Sequence, residues 1–364
     1  MVYKVTPKVR KLKVTEYQRA GKHPIVDQGQ QDIAGYTDDE DASIREPLPL
    51  VAFGDHTKSV KYVEHPFVLG ADGVVLLSGN QNIDLRFLFY WLKNVNLRNL
   101  GYARHFGILK KQHIPLPPLP EQKRIAAILK GQMAATEKAR TAAQARLEAI
   151  KSLPAAFLRQ TFPQPDQSIP EGWRWAKLGE VCKTATGGTP SRNVESFYEG
   201  DIPWVKSGEL NDSRVSETKE TITRLGVDRS NAKIFPEGTL LIALYGATVG
   251  KLGILGINAA TNQAVCAIFP SNSIDRDYLF CFLLYRRKDL IDASFGGAQP
   301  NISQSIVRSL NIPIPPLPEQ KRTAAILKDQ MAAVEKARTA AEEELTTINA
   351  LPAALLRRAF NGEI

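Results

Sequence analysis

The chain has 364 residues, 43% of them hydrophobic, with a net charge of +9 and a pI of about 9.3. That length suits two to three domains with ordinary cores, and the positive balance favours a polyanionic partner. Three cysteines without a Cys-x-x-Cys pair argue for a reducing compartment and against a disulfide framework or structural zinc; no apolar run reaches a membrane span and the opening residues lack a signal-peptide core, so the chain reads as cytoplasmic with no membrane association.

Residues 1–112 form a first globular segment. It opens on a basic arm with Lys4, Lys8, Arg10, Lys11 and Lys13. A polar, turn-rich tract at 21–31 follows, then a strand-like run from Leu48 to Phe53 that ends in Gly54-Asp55-His56-Thr57-Lys58. Two further β-rich runs between Phe67 and Leu77 flank Gly70-Ala71-Asp72-Gly73. An apolar helix is predicted over 85–92, and a basic stretch with Arg98, Arg104 and His105 closes the segment.

Residues 113–162 begin with the proline run Ile-Pro-Leu-Pro-Pro-Leu-Pro-Glu-Gln-Lys-Arg (114–124). Prolines fix φ and donate no hydrogen bond, so the run predicts a stiff extended connector, its last proline in the first turn of a helix. About thirty residues of strong helix formers follow, a rod of about 45 Å. A Leu-Pro break is expected at 153–154, then a short second helix ending near Phe162.

Residues 163–310 form a second globular segment. It opens with Gly172-Trp173-Arg174-Trp175, Leu178 and a Gly-Gly-Thr-Pro-Ser-Arg loop at 187–192. Strands are predicted at 202–205, 239–244 and 265–269, and a helix at about 276–285. Polar loops follow the strands, the last being Gly296-Gly297-Ala298-Gln299-Pro300-Asn301. Residues 311–364 then repeat 113–162: 35 of 50 aligned positions are identical at an offset of 198. The same Leu-Pro break is expected at 351–352.

The repeated helices carry a heptad seam. It runs through Leu129, Met133, Thr136, Arg140, Ala143, Leu147 and Ile150, and through Leu327, Met331, Val334, Arg338, Ala341, Leu345 and Ile348. One such helix cannot bury its stripe alone, so the two are expected to pair. The globular segments also align weakly: Gly54 with Gly246, and Ile83-Asp84 and Leu88-Phe89 with Ile274-Asp275 and Leu279-Phe280. No DNA-contact alignment between the heads is available before about residue 48. The fold expected is α+β: two globular heads and two long antiparallel helices forming a coiled coil, with an internal pseudo-twofold repeat. Near-identical helices with divergent heads suggest a scaffold presenting two readers. About 45 Å is roughly 13 base pairs of B-DNA, near one helical turn.

The repeated proline–Glu-Gln-Lys-Arg motif, Lys-Leu-Gly-Glu…Gly-Gly-Thr-Pro-Ser (177–191) and Tyr-Gly-Ala…Thr-Asn-Gln-Ala (245–264) resemble the specificity subunit of type I restriction–modification systems. So do Asp27-Gln28-Gly29-Gln30, Phe53 to Thr57, Gly70 to Gly73 and the closing Ala-Phe-Asn-Gly-Glu-Ile. The first head departs from the pattern: it lacks the Trp…Leu-Gly-Glu…Gly-Gly-Thr-Pro opening of the second. The resemblance implies two target recognition domains, each reading one half of a bipartite, asymmetric target in double-stranded DNA. It also implies a coiled coil that sets the spacer and docks two methyltransferase subunits, with restriction subunits able to join. No catalytic site, cofactor or metal is expected in the subunit.

Tyr245 to Lys251 follows a strand like a phosphate loop, but has three residues between its glycines and Leu252 where a magnesium-binding hydroxyl would stand. No Asn/Asp-Pro-Pro-Tyr/Phe tetrapeptide marks an amino-methyltransferase. Asp201…Glu217-Thr218-Lys219 has a loose nuclease-like spacing, and Asp55-His56 could act as an acid–base pair. The alternative reading is therefore a degenerate standalone nuclease or DNA-modifying enzyme. For DNA reading, Arg and Lys suit guanine and phosphate, and Asn and Gln suit adenine. The candidates in the first head are Lys11, Lys13, Gln28, Gln30, Gln31, His56, Lys58 and Arg104. Those in the second are Thr189, Ser191, Arg192, Lys206, Ser207, Tyr245, Thr248, Lys251, Asn262, Gln263, Gln299 and Asn301.

Overall fold

The computed structural model describes residues 2–70, 73–98, 101, 103–164, 167–293 and 301–364. Gln299, with 296–298 and Pro300 of its loop, lies outside the described residues, as do Ala71 and Asp72. Contacts divide the chain into two units: residues 1–146 with 341–364, and residues 147–340.

The first head contains β1 (Val2–Val5), β2 (His23–Val26), β3 (Gly35–Thr37), β4 (Leu50–Gly54), β5 (Val60–Val63), β6 (Val68–Leu69), β7 (Val74–Gly79), α1 (Leu85–Asn94) and α2 (Phe106–Leu109). An antiparallel sheet runs β1-β7-β4-β5, and a smaller one runs β3-β2-β6, with β2 and β6 parallel. Strand β4 is buried throughout, and successive side chains face opposite sides. Val51 and Phe53 pack with Leu88 and Trp91 of α1; Leu50 and Ala52 pack with Val26, Phe67 and Leu69. Helix α1 begins where the Asp84 side chain accepts a hydrogen bond from Phe87 N at 2.8 Å.

Helix α3 (Leu119–Thr161) follows the proline run. The second head holds β8 (Arg174–Lys177), α4 (Leu178–Val181), β9 (Cys182–Thr186), β10 (Tyr198–Val205), β11 (Ser213–Val215), β12 (Thr221–Ile222), α5 (Arg224–Asp228), β13 (Ile234–Phe235) and β14 (Leu240–Ala243). It continues with β15 (Leu252–Leu255), β16 (Ala259–Thr261), β17 (Val265–Pro270), α6 (Arg276–Asp292), α7 (Gln304–Ser309) and β18 (Asn311–Ile314), and leads into α8 (Leu317–Phe360). Helix α6 runs seven residues beyond its sequence expectation, because Leu290 is buried and extends the apolar face. Strand β14 repeats the β4 arrangement: Leu240 and Ile242 face Tyr278 and Phe282, while Leu241 and Ala243 face Val205 and Phe235.

The heads share a frame the sequence did not align. Strands β2 and β6 pair in parallel with Val26 beside Leu69; β10 and β16 pair in parallel with Val205 beside Thr261. Strands β1 and β9 occupy the same antiparallel place against β7 and β17. The correspondence therefore reaches back to residue 2.

Each head is clasped by two helix segments. In the first unit, Ile125, Ala126 and Leu129 near the start of α3 pack with Leu356 and Ala359 near the end of α8, against Phe87 and Tyr90. In the second unit, Leu158 and Phe162 near the end of α3 share a core with Ala324 and Leu327 near the start of α8. Both pairings are antiparallel. On the seam, Leu129, Thr136, Ala143, Leu147, Leu327, Val334 and Ala341 are buried, as the heptads require. Arg140 and Arg338 leave it for bidentate pairs with Glu137 and Glu335, three residues earlier.

The expected Leu-Pro break does not occur. Pro154 and Pro352 lie inside continuous helices. An interior proline loses one backbone bond and crowds the carbonyl four residues back, at about 3 kcal/mol. Beyond each proline the helix carries large apolar anchors. Phe162 lies 5.3 Å from the Tyr278 ring and 5.4 Å from Phe282; Phe360 lies 5.2 Å from Phe87. Burying such a side chain stabilises by about 1.5–3 kcal/mol, so these anchors with their leucine neighbours offset the proline.

A buried glutamine ties each head to its helix. Gln122 Oε1 accepts from Asp84 N at 3.0 Å, and its Nε2 donates to the carbonyls of Asn82 and Pro117 at 3.0 and 2.8 Å. Gln320 repeats this with Asp275 N at 2.8 Å and the carbonyls of Ser273 and Pro315 at 3.0 and 2.8 Å.

Candidate nucleic-acid interface

In the second head, the polar loops gather at the ends of β9, β10, β14 and β16. Because β10 and β16 are parallel, Lys206 and Ser207 leave one strand beside Asn262 and Gln263 leaving the other. Asn262 N donates to Val205 O at 3.0 Å, and Gly188 N to Thr261 O at 2.9 Å, which locks the Gly-Gly-Thr-Pro-Ser loop to the same edge. A Cβ on Gly187 would stand 2.0 Å from Thr261 O, so only glycine allows that approach.

Most of the predicted residues meet here. The Thr189 hydroxyl donates to Gln263 Oε1. The Tyr245 hydroxyl also bonds Gln263, while partial burial raises its pKa. Asn301 joins through a bridge to Tyr245. Ser191, Thr189 and Gln263 are exposed, whereas Asn262 Oδ1 is buried with no hydrogen-bond partner among the described residues. The Thr248 hydroxyl donates to Ser207 O at 2.8 Å.

Arg192 and Lys206 share one carboxylate. Lys206 Nζ donates to Glu220 Oε1, and Arg192 Nη2 lies 2.8 Å from Glu220 Oε2. The Lys206 bond, with Arg192 adding to it, holds the Glu220 carboxyl below the usual range. The Arg192 guanidinium also stacks 4.5 Å above the Tyr198 ring and 5.1 Å above Trp204. That arrangement orients a planar cation beside the strand ends. Glu220, Tyr198 and Trp204 were not found from sequence, since nothing local announces that they meet the 187–192 loop. Lys251 stands apart: its Nζ lies 3.1 Å from Asp212 Oδ2, which Arg287 also binds. Lys251 leads into strand β15 instead of a helix, so the phosphate-loop resemblance ends at its glycines.

In the first head the equivalent strand ends carry Asp27-Gln28 after β2 and Gly54-Asp55 after β4. The Gln28 carbonyl accepts from the hydroxyls of Thr57 and Ser59 at 2.5 and 2.7 Å, and its Oε1 from His56 N at 3.3 Å. Gln28 thus holds the 54–59 turn. Lys58 sits there at φ 60°, and with Gln30 lines a hollow of about 250 Å³. Gln31 is exposed nearby in sequence. Arg104 reaches to 4.0 Å from Asp55 Oδ2 and is largely exposed. The Asp55 carboxylate accepts from Phe106 N at 2.7 Å, and its carbonyl from His105 N at 2.8 Å, so its bonds to these residues hold the 105–106 backbone. Lys11 and Lys13 are exposed on either side of buried Leu12, whose N–H donates to Leu69 O next to Gly70.

Among the described residues, no group of three or more His, Cys, Asp or Glu side chains is placed to hold a metal ion, and no helix is long and apolar enough to cross a membrane.

A family model described as "Type I restriction modification DNA specificity domain" matches residues 7–147 and again 170–344. The EcoR124I/EcoR124II type I restriction enzyme specificity subunit of Escherichia coli is 26% identical over 336 residues, covering 87% of this chain and 81% of that protein. The MjaVIII specificity subunit of Methanocaldococcus jannaschii is 29% identical over 291 residues, covering 72% and 67%. Two solved structures share the fold. One is a chain from a study of complex assembly in a type I R-M system, with TM-score 0.70 at 23% identity, covering 94% of this chain and 92% of that one. The other is the HsdS subunit of Thermoanaerobacter tengcongensis, with TM-score 0.61 at 24% identity, covering 86% and 81%.

Proposed function

The chain belongs to the type I restriction modification DNA specificity family, and on that premise we propose that its two heads each read one half of a bipartite, asymmetric DNA target. The observation that carries this is the doubled frame with undoubled loops. The same strand ends recur in both heads, yet one set presents Gln30, Lys58 and Arg104 around the turn that Gln28 holds, and the other Thr189, Arg192, Lys206 and Gln263. A shared frame with different polar groups is what two unlike half-sites demand, because base edges are distinguished by donor and acceptor pattern.

In this reading, residues 1–112 and 163–310 are the target recognition domains. Residues 113–162 and 311–364 set the spacer and dock two methyltransferase subunits, and restriction subunits join that complex. The chain supplies recognition, and its partners supply catalysis in the cytoplasm. Lys11, Lys13, Gln31, His56, Ser191, Ser207, Tyr245, Thr248, Lys251, Asn262, Gln299 and Asn301 complete the proposed contact set. Some reach DNA, and others, such as Asn262 and Lys251, hold the loops that do.

The test is methylome sequencing of cells carrying the full complex, before and after residues 1–112 are exchanged for another head. One half of the methylated target is expected to change while the other half and the spacer persist. A change in both halves would refute separate reading.

A further inference from the structure

Glu220 is an acid beside the polar groups at the strand ends, where a carboxylate repels any backbone phosphate brought near it. Its main chain is secured without that carboxylate. The Glu220 carbonyl accepts from Trp204 N at 3.1 Å and from the Thr218 hydroxyl at 2.8 Å. Another acid closes the surrounding loop: Glu209 accepts from Lys206 N at 2.7 Å and from Lys219 N at 2.8 Å. The segment from 206 to 220 thus has its ends joined by Glu209 and by main-chain bonds. What the Glu220 side chain holds is two cations, Lys206 on Oε1 and Arg192 on Oε2.

Arg192 is fixed in two independent ways. The aromatic rings beneath it set the plane of the guanidinium. Both rings are tied to the loop that carries Arg192: Trp204 Nε1 donates to Gly188 O at 3.1 Å, and the Tyr198 hydroxyl to Pro190 O at 2.5 Å. The ion pair of Nη2 with Glu220 then sets the rotation within that plane. Among the described residues, no hydrogen bond engages Nε or Nη1, and the side chain is 54% exposed, so the fork is held and still open to a ligand. Arg192 and Lys206 bring two positive charges to this corner, and Glu220 cancels one.

We propose that Glu220 is the positioning residue that makes this corner of the second head read a base instead of gripping the backbone. Its carboxylate keeps the Arg192 fork in one orientation and halves the charge that would draw Arg192 and Lys206 onto the nearest phosphate. The base is a guanine, whose O6 and N7 accept two N–H groups of one guanidinium in the major groove. A phosphate accepts the same fork at many angles and in every sequence, so a fixed orientation and a reduced charge both favour the base edge. The assignment rests on the reading of the second head as the reader of one half-site.

The test uses the full complex with methyltransferase subunits and competition gel shifts between about 50 and 200 mM salt. The competitors are the methylated target, single-base variants of each half, and an unrelated duplex. Glu220→Gln keeps the shape and removes the charge. It is expected to bind the unrelated duplex more tightly at low salt, with a log–log salt slope steeper by about one. Discrimination at one G·C pair of one half should fall at least about fivefold, with the other half unaffected. Arg192→Lys keeps the charge without the fork. It should lose discrimination at the same pair with its salt slope unchanged, and adding Glu220→Gln should cost that pair nothing further, since the two act as a unit. Unchanged slope and discrimination in Glu220→Gln overturn the proposal. So does discrimination lost at several pairs together with faster amide exchange over 206–220, which would make Glu220 a loop support. If the unaltered complex prefers neither half of its target, the reading of the heads fails and the proposal with it; if it discriminates and Glu220→Gln matches it, the proposal alone fails.

Discussion

Gln122 and Gln320 show how much one side chain can organise. Each is buried, and each satisfies the N-cap backbone N–H of a head helix, the carbonyl two residues before that cap and one carbonyl of the proline connector. Truncation leaves those groups unmatched in the interior. Gln122→Ala is expected to destabilise the first unit by about 2–3 kcal/mol, and Gln320→Ala the second by as much, each local to its own unit in hydrogen exchange. At the strand ends, Arg192 is held by Glu220, Tyr198 and Trp204. Arg192→Ala should weaken specific binding by about 1–3 kcal/mol, roughly five- to 150-fold, and relax discrimination in one half of the target only. A competition gel-shift series with single-base changes in each half reads this directly. Loss spread evenly over both halves would move Arg192 to a general phosphate role. The residue types suited to DNA were legible in the sequence. Which of them are already spent on holding loops was not, because Gln28 finds its partners 28 to 31 residues away and Lys251 finds Asp212 39 residues away.

At the level of elements, the strongest sequence signals were those with a period. The heptads placed the buried seam correctly, and the all-apolar runs at 50–53 and 240–243 became the central strands. The proline at 154 misled, since local propensity forbids what distant packing of Phe157, Leu158 and Phe162 enforces. The first 47 residues gave no alignment because strand register, not residue identity, carries the resemblance of β1 to β9 and β2 to β10. The seam makes a second prediction about spacing. Inserting about four residues between Thr136 and Ala143 preserves the heptad phase only in part. It is expected to lengthen the spacer of the recognised target or prevent assembly with methyltransferase subunits. Methylome sequencing that returns the original spacer would show that the helices do not set it.

For the whole molecule, the division into units cuts across the repeat. The second unit is one uninterrupted stretch, 147–340, while the first is assembled from 1–146 and 341–364. Its core counts Leu356, Ala359 and Phe360 among its members, so the head read first in the sequence borrows its last wall from the far end. During synthesis this inverts the usual order, in which N-terminal domains mature first. The second head can close while α8 is still being made. The first must wait, with Phe87 and Leu129 uncovered, until residue 360 has left the ribosome. A chain stopped after residue 340 is therefore expected to keep a cooperatively folded 147–340 and to be cut by protease within 1–146. Premature termination would thus expose the half of the protein that was translated first, and mark an incomplete chain for destruction at its beginning.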